Sequence, residues 1–371
     1  MIIGIPKEIK KHEYRVGIVP GGVKGLVDSD HKVIIQKDAG LGSGITNEEY
    51  EAAGAVILET AKQVYDEADM IMKVKEPLSE EYELLHEGQI LYTYLHLAPA
   101  PELTSALLER KIIGIAYETI QLEDGSLPLL TPMSEIAGRM AIQVGAYYLQ
   151  KEHGGLGILL GGVPGVTRGK VAILGGGIVG MNAAKVAVGI GARVTVLDVN
   201  LERLRYLDDI FGNSIVTLMS HSQNIEETVT EADLIVGAVL IPGARAPNLV
   251  TREMLSGMKK GAVIVDVAVD QGGCIETIKP TYHDNPTYEV DGIIHYGVAN
   301  MPGAVARSST FALTNATLPY AIRIANQGWE TAVRGDQSLL KGVNVVNGTL
   351  VCKPVSEAVG IECVPLETML G

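Results

Sequence analysis

The sequence of 371 residues is poor in cysteine, in large aromatic residues and in positive charge. Its three cysteines, Cys274, Cys352 and Cys363, are too few and too scattered for a disulfide framework or a zinc site. We therefore expect free thiols in a reducing, cytoplasmic compartment. One Trp and two Phe offer little surface for stacking on bases, and a formal net charge of −14 opposes binding to phosphate backbones and anionic lipids. We expect neither a nucleic acid nor a membrane as a partner.

Two further kinds of segment are missing. Residues 1–8 lack the basic and apolar regions of a signal peptide and look like a first strand. Residues 171–192 are mostly apolar, but Asn182, Lys185 and several glycines argue against a membrane span. The eight histidines show no metal-ligand spacing, so we predict no metal site.

What the sequence does contain is an alternation of strand and helix patterns. Apolar residues make up 47% of it and charged residues 20%, as in soluble globular proteins. The strands predicted from short apolar runs are 2–5, 33–36, 69–74, 89–95, 112–116, 171–174, 193–198, 215–218, 233–238, 262–269 and 293–297. The predicted helices begin at Thr46, near Ser79, at Pro101 and at Ser134 as a cap, and also cover 201–210, 224–231, 251–257 and 308–327. A hairpin of Val343–Val346 and Thr349–Cys352 is predicted around Asn347-Gly348.

The alternation predicts the fold class and the domains. Strands that alternate with helices indicate an α/β protein, here two Rossmann-like, doubly wound parallel-sheet domains with an interdomain cleft. The tail is too short for a domain of its own, so we expect it to return to the first domain. The predicted boundaries are 1–131 plus 305–371 for a substrate or catalytic domain, and 132–304 for a nucleotide-binding domain.

One motif indicates the ligand of the second domain. Gly175-x-Gly177-x-x-Gly180 joins a predicted strand to a helix. The first glycine allows the tight turn, the second lets the backbone approach a pyrophosphate, and the third lets helix and strand pack closely. The phosphates would then lie at the helix N-terminus, where N–H groups favour negative charge. The alternative is a βαβ unit whose glycine-rich turn holds no ligand.

An acidic residue indicates which dinucleotide binds. Asp198 lies 18 residues after Gly180, at the end of the second strand, where a carboxylate can accept hydrogen bonds from a ribose diol. It would repel a 2′-phosphate, which favours NAD over NADP. Arg203 and Arg205 lie nearby and leave NADP open as an alternative.

Candidates for chemistry follow the predicted strands. Lys75, His96, Asp270 and Asn300 each come directly after, or shortly after, such a strand. Since ligands of open α/β sheets lie beyond the carboxyl ends of the strands, these residues are expected in one site. Arg15, followed by an apolar run, is a candidate for an inward-facing carboxylate clamp.

Each candidate also has a plainer interpretation. Arg15 and Lys75 could be solvated charges, and His96 could be a core histidine whose hydrogen bonds are satisfied. Asp270 could cap the loop that follows it, and Asp266, which lies inside its predicted strand, is assigned to structure. The set in combination, rather than any one position, favours a site.

The same residues carry a family resemblance. Gly4–Glu8, Arg15–Pro20, Lys73–Pro77, Tyr94–Ala98, Met133–Gly138, Gly175–Gly180, Asp266–Cys274 and His295–Ala304 resemble the L-alanine dehydrogenase family nearly end to end. The related transhydrogenase NAD-binding subunits are similar in the opening motif and the glycine loop. They resemble the chain less around Lys75 and His96. Their loop before the long helix is not reproduced by Thr131–Ser134.

The resemblance implies an activity and roles. It implies reversible NAD-dependent oxidative deamination of L-alanine to pyruvate and ammonia, in a homohexamer. Arg15, as a bidentate fork, and Lys75 would hold the substrate carboxylate. His96 would be the acid/base and Asp270 would hold or activate water or ammonia. The candidate walls of the substrate pocket are Tyr94, Leu130, Met133 and Met301, and Asn300 is a further substrate contact.

The cofactor contacts that the resemblance implies, beyond the glycines and Asp198, are Ser134, Ile178, Val179, Arg203, Ser220, Val239, Leu240, Val267, Asp270, Lys279, Val298, Asn300 and Met301. A metal site of some relatives is not carried over, because Arg323 and Gln327 occupy the corresponding helix. Two alternatives stay open: the NAD-binding module of a transhydrogenase-type complex, and an NAD-binding protein without catalysis.

Overall fold

The computed structural model describes residues 1–239 and 246–370 and shows two compact units. The first unit comprises Met1–Met133 and Gly303–Gly371, and the second comprises Ser134–Pro302. The predicted domain boundaries, 131/132 and 304/305, lie two residues from these divisions.

The elements of the first unit up to residue 116 alternate between strand and helix. They are β1 (Ile2–Ile5), α1 (Pro20–Val27), β2 (Lys32–Gln36), α2 (Asn47–Ala52), β3 (Val56–Leu58), α3 (Ala61–Glu67), β4 (Met70–Met72), α4 (Ser79–Tyr82), β5 (Ile90–Thr93), α5 (Pro101–Glu109) and β6 (Ile113–Ala116). They include three, α1, β3 and α3, that were not predicted.

The chain then passes through the second unit and returns. The next elements are α6 (Thr131–Tyr148), β7 (Lys170–Leu174), α7 (Ile178–Gly189), β8 (Arg193–Asp198), α8 (Leu201–Phe211), β9 (Ile215–Met219), α9 (Ser222–Glu231), β10 (Leu234–Gly237), α10 (Arg252–Leu255), β11 (Val263–Asp266), β12 (Thr287–Val290) and β13 (Ile293–Tyr296). The returning tail forms α11 (Ala306–Gln327), α12 (Trp329–Arg334), α13 (Gln337–Gly342), β14 (Val343–Val346), β15 (Thr349–Leu350), α14 (Lys353–Val359) and α15 (Leu366–Leu370).

The sheet of the first unit has eight strands in the order β15-β14-β6-β5-β4-β1-β2-β3. The strands from β6 to β3 pair in parallel, and the returning hairpin of β14 and β15 adds an antiparallel edge. The strand order reverses between β1 and β4. Such a switch point opens a crevice at the carboxyl ends of the strands, where ligands of doubly wound sheets bind.

The sheet of the second unit has seven strands in the order β12-β13-β11-β10-β7-β8-β9. All pairs are parallel except that of β12 with β13. The parallel part has the Rossmann order, with its switch point between β7 and β10. The predicted α/β class with two doubly wound sheets is confirmed. Each sheet also carries an antiparallel edge, formed by the predicted hairpin in the first unit and by the unpredicted strand β12 in the second.

Both sheets have buried and largely apolar central strands, as expected when helices cover both faces. Strands β4, β5, β6, β10 and β11 are buried along their whole length. Behind them lie two apolar clusters, one around Leu91 and Leu107 in the first unit and one around Ile235 and Val250 in the second.

Local signals predicted several element ends correctly. Thr46 caps α2 and forms a capping box with Glu49, since each accepts a backbone N–H of the other. The returning hairpin turns at Asn347 and Gly348, whose φ angles of 47° and 85° suit a two-residue turn of the favoured hand. Its second strand ends at Leu350, two residues earlier than predicted.

Eight of the described helices and strands were missed, namely β3, β12, α1, α3, α12, α13, α14 and α15. Strands β3 and β12 are short and only partly buried, so their alternation is weak. Helix α1 begins with Pro20-Gly-Gly, a sequence typical of a turn, although Pro suits the first turn of a helix. Helix α3 was missed despite its capping box of Thr60 and Gln63. The helix predicted from Ser134 begins at Thr131, so Ser134 lies in its first turn and does not cap it.

Three predicted strands also end earlier than expected, and for a common reason. Strands β4, β5 and β11 end at Met72, Thr93 and Asp266 rather than at residues 74, 95 and 269. Beyond each end, a carboxylate takes the backbone N–H groups that a neighbouring strand would otherwise bind. These carboxylates belong to Glu8, Glu118 and Asp266. Because backbone donors must be satisfied when buried, a side-chain acceptor replaces the ladder there.

Candidate active site

Arg15 follows β1 at the switch point of the first unit and is paired with Glu13. Its side chain is 2% exposed and that of Glu13 is 0% exposed. Arg15 Nε donates to Glu13 Oε1 at 2.6 Å, and Nη2 donates to Glu13 Oε2 at 2.5 Å. Burial raises the pKa of Glu13, but the hydrogen bonds and charge of Arg15 outweigh it and hold that pKa below its usual value. The inward direction predicted for Arg15 is confirmed. Glu13 occupies the Nε and Nη2 side of the guanidinium, and the role of Arg15 as a clamp for the substrate carboxylate stays a prediction.

Helix α11 and a short loop position the Arg15 segment. Val16 N–H donates to Thr310 Oγ1 at 3.2 Å, and Ser43 Oγ lies 2.8 Å from the same hydroxyl. Ser43 Oγ also donates to the carbonyl of Tyr14 at 3.0 Å. Gly17 packs so closely that a Cβ there would lie 2.8 Å from the carbonyl oxygen of Met72. The segment is therefore locked against the end of β4.

Lys75 lies three residues beyond β4 and is half-buried. Burial lowers the pKa of its ammonium group, and the positive charge of Arg15 lowers it further. Two cations thus meet at the carboxyl ends of β1 and β4. Such a pair attracts an anion, because an anion relieves their mutual repulsion.

His96 lies three residues beyond β5, beside Glu76. Its Nδ1 is 3.3 Å from Glu76 Oε2, and Glu76 also bonds to Lys10. Burial raises the pKa of Glu76, but its contacts with His96 and Lys10 hold that pKa well below its usual range. An ionised Glu76 favours the form of His96 that carries a proton on Nδ1. Glu76 was not predicted, although it directly follows Lys75 in the sequence.

The backbone of His96 is held in an unusual conformation. Its φ of 48° lies in the left-handed region, which few non-glycine residues adopt. Its N–H donates to Glu118 Oε1 at 2.6 Å, and the N–H of Leu95 donates to the same carboxylate at 3.1 Å. Such conformations persist where surrounding contacts define them, and they cluster at functional sites.

Three predicted pocket walls belong to the first unit. Tyr94 is buried, its hydroxyl donates to the carbonyl of Leu129 at 2.6 Å, and its ring lies 5.8 Å from that of His96. The sulfur of Met133 lies 3.1 Å from Arg15 Nη1. Leu130 is half-buried and lies three residues before Met133 in the sequence. Tyr94 and Met133 therefore adjoin His96 and Arg15 respectively.

The glycine loop of the second unit has the geometry that the motif predicts. Gly175 has a φ of 100°, and a Cβ there would lie 2.8 Å from the carbonyl oxygen of Ala238. A Cβ on Gly180 would lie 1.8 Å from the carbonyl oxygen of Gly175, so only glycine fits between strand and helix. Gly177 differs, since a Cβ there would meet nothing within 4 Å. The open space at the start of α7 is where a dinucleotide pyrophosphate would approach.

Asp198 and Arg203 hold the same loop from the side. Asp198 Oδ2 accepts from Gly176 N–H at 2.7 Å, and its Oδ1 accepts from Asn200 N–H at 2.8 Å. Arg203 Nε donates to the carbonyl of Gly176 at 2.5 Å. The side chain of Arg203 therefore supports the loop by binding the loop's backbone, a role that the sequence did not predict.

Asp270 lies on a loop that Asp266 closes. Asp266 is fully buried, accepts from Ala268 N–H at 3.0 Å and accepts from Cys274 N–H at 2.8 Å. The exposed Asp270 lies in a 3-10 turn, Val269–Gln271, within that loop. Burial raises the pKa of Asp266 although backbone hydrogen bonds lower it. Asp266, which the sequence analysis assigned to structure, therefore fixes the shape of the loop that carries Asp270.

The remaining predicted cofactor residues are distributed over the second unit. Ser220 N–H donates to the carbonyl of Asp198 at 3.0 Å, and Val267 N–H donates to that of Gly237 at 2.9 Å. The ammonium group of Lys279 lies 4.4 Å from the ring centre of Tyr288, and the carbonyl of Asn300 is 2.9 Å from His283 Nε2. Val298 and Met301 are buried, Ser134, Ile178, Val179, Val239 and Asn300 are half-buried, and Leu240 lies outside the described residues.

Two kinds of feature are absent from the described residues. No three His, Cys, Asp or Glu side chains within 1–239 and 246–370 come together as a metal ion would require. In the same part of the chain, no helix combines the length and the apolar character needed to cross a bilayer.

The fold and the glycine loop define a dinucleotide-binding α/β protein built from two Rossmann-like units. Residues 4–137 match the family model for the N-terminal domain of alanine dehydrogenase/PNT, and residues 141–353 match that for its C-terminal domain. The alanine dehydrogenase of Methanococcus maripaludis is 65% identical over 100% of both chains. The chain belongs to the alanine dehydrogenase/PNT family.

Two solved structures separate the branches of that family. An L-alanine dehydrogenase superposes with a TM-score of 0.95 at 53% identity, over 97% of this chain and 99% of the other. A transhydrogenase from Sinorhizobium meliloti superposes with a TM-score of 0.82 at 27% identity, over 95% and 99% of the two chains. The likeness to the alanine dehydrogenase is thus stronger in both identity and geometry.

Proposed function

We propose that this protein is an NAD-dependent L-alanine dehydrogenase, which interconverts L-alanine with pyruvate and ammonia. The observation that carries the proposal is the arrangement at the switch point of the first unit. Arg15, Lys75 and His96 follow β1, β4 and β5 there, and Arg15 is near enough to Lys75 to lower its pKa. Two cations beside a proton-transfer group suit a small 2-oxo or 2-amino acid.

The substrate carboxylate would be bound by Arg15 together with Lys75. Glu13 holds the Nε and Nη2 side of Arg15, and the sulfur of Met133 lies 3.1 Å from Nη1. Lys75 supplies a second, compact positive charge. Tyr94 and Met133 would enclose the methyl group. The size of such a pocket discriminates by about 1–3 kcal/mol per methylene.

His96 would move the protons of imine formation and hydrolysis. With its Nδ1 proton turned toward Glu76, Nε2 is left to exchange a proton with the substrate oxygen or nitrogen. Asp270, on the exposed loop of the second unit, would hold the water or ammonia that enters or leaves. Both assignments rest on position and chemical type.

The residues of the second unit fit a dinucleotide. The space at Gly177 and the N-terminus of α7 would take the pyrophosphate, and Asp198 would accept hydrogen bonds from the adenosine ribose. When bound, NAD supplies the nicotinamide ring that exchanges a hydride with the substrate Cα. Asp198 would disfavour a 2′-phosphate and so select NAD. Ser134, Asn300, Met301 and Lys279 are proposed as further contacts.

One assay tests the function. NADH oxidation should require both pyruvate and ammonium, and NADPH should replace NADH poorly. His96→Ala should reduce kcat by about 10²- to 10⁴-fold, the usual contribution of a positioned acid/base. Wild-type protein without ammonium-dependent turnover would overturn the proposal. We also propose a cytoplasmic homohexamer, from the family resemblance, and light scattering after gel filtration would measure its mass.

A further inference from the structure

The segment that carries Lys75 is held by a buried group of charges that the reaction does not use. Residues 73–78 connect β4 to α4 without belonging to either. At their start, Glu8 Oε1 accepts from Val74 N–H at 2.6 Å and from Lys75 N–H at 3.1 Å. Glu8 itself follows β1, the strand beside β4 at the switch point. Its carboxylate therefore replaces strand pairing where β4 ends.

Lys73 keeps that carboxylate in place. Lys73 Nζ lies 3.4 Å from Glu8 Oε2 and 2.6 Å from Glu81 Oε1. The three side chains are between 0% and 4% exposed. Tyr65 hydroxyl donates to Glu81 Oε1 at 2.9 Å, and Glu81 Oε2 accepts from Leu78 N–H at 3.0 Å. Glu8 thus binds the backbone at the start of the segment and Glu81 binds it at the end. Lys73 contacts both carboxylates.

Burying such a group is energetically expensive. Burial raises the pKa of Glu8. Burial alone would lower the pKa of Lys73, but the charges of Glu8 and Glu81 outweigh it and raise that pKa above its usual value. Apolar residues of similar volume often stabilise a fold as well as or better than buried ion pairs. Stability is therefore a weak reason for this arrangement. Two N–H groups aimed at one carboxylate oxygen do, however, define the backbone position of Lys75.

We propose that Glu8 is a positioning residue for substrate binding: through the N–H groups of Val74 and Lys75 it sets where the Lys75 ammonium meets the substrate carboxylate. The inference rests on the proposed function, since it assumes that Lys75 binds that carboxylate. It assigns Glu8 no contact with substrate or cofactor. Its effect should consequently appear in pyruvate binding and leave NADH binding unchanged.

Three variants of the full chain test it. Glu8→Leu removes the acceptor at similar volume, and Glu8→Gln retains an oxygen for the two N–H groups. Tyr65→Phe is the matched control, because it disturbs the Glu81 end of the same buried group without touching Val74 or Lys75. For each we would measure KM for pyruvate, kcat, NADH affinity and the thermal midpoint.

We expect Glu8→Leu to raise KM for pyruvate by about tenfold or more, since small misplacements of binding groups have large effects. Its kcat and NADH affinity should stay within about threefold. Glu8→Gln should recover most of the loss, and Tyr65→Phe should lower the thermal midpoint without raising KM. Should Glu8→Leu fail to fold, Glu8→Asp takes its place, because its carboxylate is one methylene short of the two N–H groups.

The inference would be overturned by a folded Glu8→Leu or Glu8→Asp protein with wild-type KM, or by a Tyr65→Phe protein with an equal rise. A parallel loss of NADH affinity would also overturn it, since that would indicate general damage. An inactive wild type would instead refute the proposed function.

Discussion

Glu13 holds Arg15 by two hydrogen bonds, of 2.6 and 2.5 Å, in a pair that solvent hardly reaches. The pair is separated by one residue in sequence, yet it directs how the arginine faces the site. A buried cation would ordinarily be the strongest anchor for a substrate carboxylate. Here Glu13 takes two of the guanidinium's N–H donors within the protein.

Removing Glu13 should therefore destabilise the fold strongly. Glu13→Ala leaves a buried guanidinium uncompensated, and we expect a loss of about 3–5 kcal/mol in the free energy of unfolding. Denaturant titration at neutral pH measures it. Since the pKa of Glu13 is lowered in the fold, the pair stabilises at pH values above the carboxyl's unfolded pKa. That stability is lost as the pH falls through the lowered value. A Glu13→Ala, Arg15→Met double variant that lost as much as the single variant would contradict this account.

Lys75 should lower the free energy of unfolding although it is needed to bind the substrate. Its pKa is lowered, so the unfolded chain binds its proton more tightly and the fold carries a penalty at neutral pH. The penalty disappears only above the unfolded pKa. We expect Lys75→Met to raise stability by about 1 kcal/mol while it abolishes turnover at ordinary pyruvate concentrations. Thermal melts and initial rates measure the two effects. A less stable Lys75→Met protein would refute the argument.

Glu76 should matter through His96. Glu76→Gln removes the charge that lies 3.3 Å from His96 Nδ1. Because partners that orient a catalytic histidine support its proton transfer, kcat should fall by about ten- to a hundredfold, with a smaller change in KM for pyruvate. Glu80→Gln is the matched control, the same substitution at an exposed carboxylate four residues further on. Equal kcat values for the two variants would argue against the role of Glu76.

The glycine loop separates a structural glycine from a binding one. At Gly177 a Cβ meets nothing within 4 Å, so Gly177→Ala should fold normally and bind NADH weakly. At Gly180 the Cβ would lie 1.8 Å from a carbonyl oxygen, so Gly180→Ala should lose about 1–3 kcal/mol through forced backbone movement. Thermal melts together with NADH fluorescence titration separate the two effects. If Gly177→Ala bound NADH as tightly as wild type, the pyrophosphate would not approach this glycine.

The sequence was sufficient for several features that depend on neighbours along the chain, although the capping box of Thr60 and Gln63 was missed. The Gly175–Gly180 turn, the capping box of Thr46 and Glu49, and the hairpin at Asn347-Gly348 are local devices, and the structure contains each of them. The alternation of apolar runs predicted two doubly wound sheets for the same reason, since each element shows its own period. The returning tail could be placed because it is too short to form a core alone.

Only the tertiary structure decided where several strands end, because those ends depend on groups far apart in sequence. Backbone pairing beyond β4 stops after Lys73 because Glu8, more than sixty residues earlier, takes the N–H groups of Val74 and Lys75. Strand β5 ends because Glu118 does the same for Leu95 and His96. No periodicity reveals such partners, since a carboxylate follows no hydrophobic pattern. The sequence by itself therefore indicated which residues are candidates for the chemistry. The fold decided, through distant carboxylates, how Arg15, Lys75 and His96 are held.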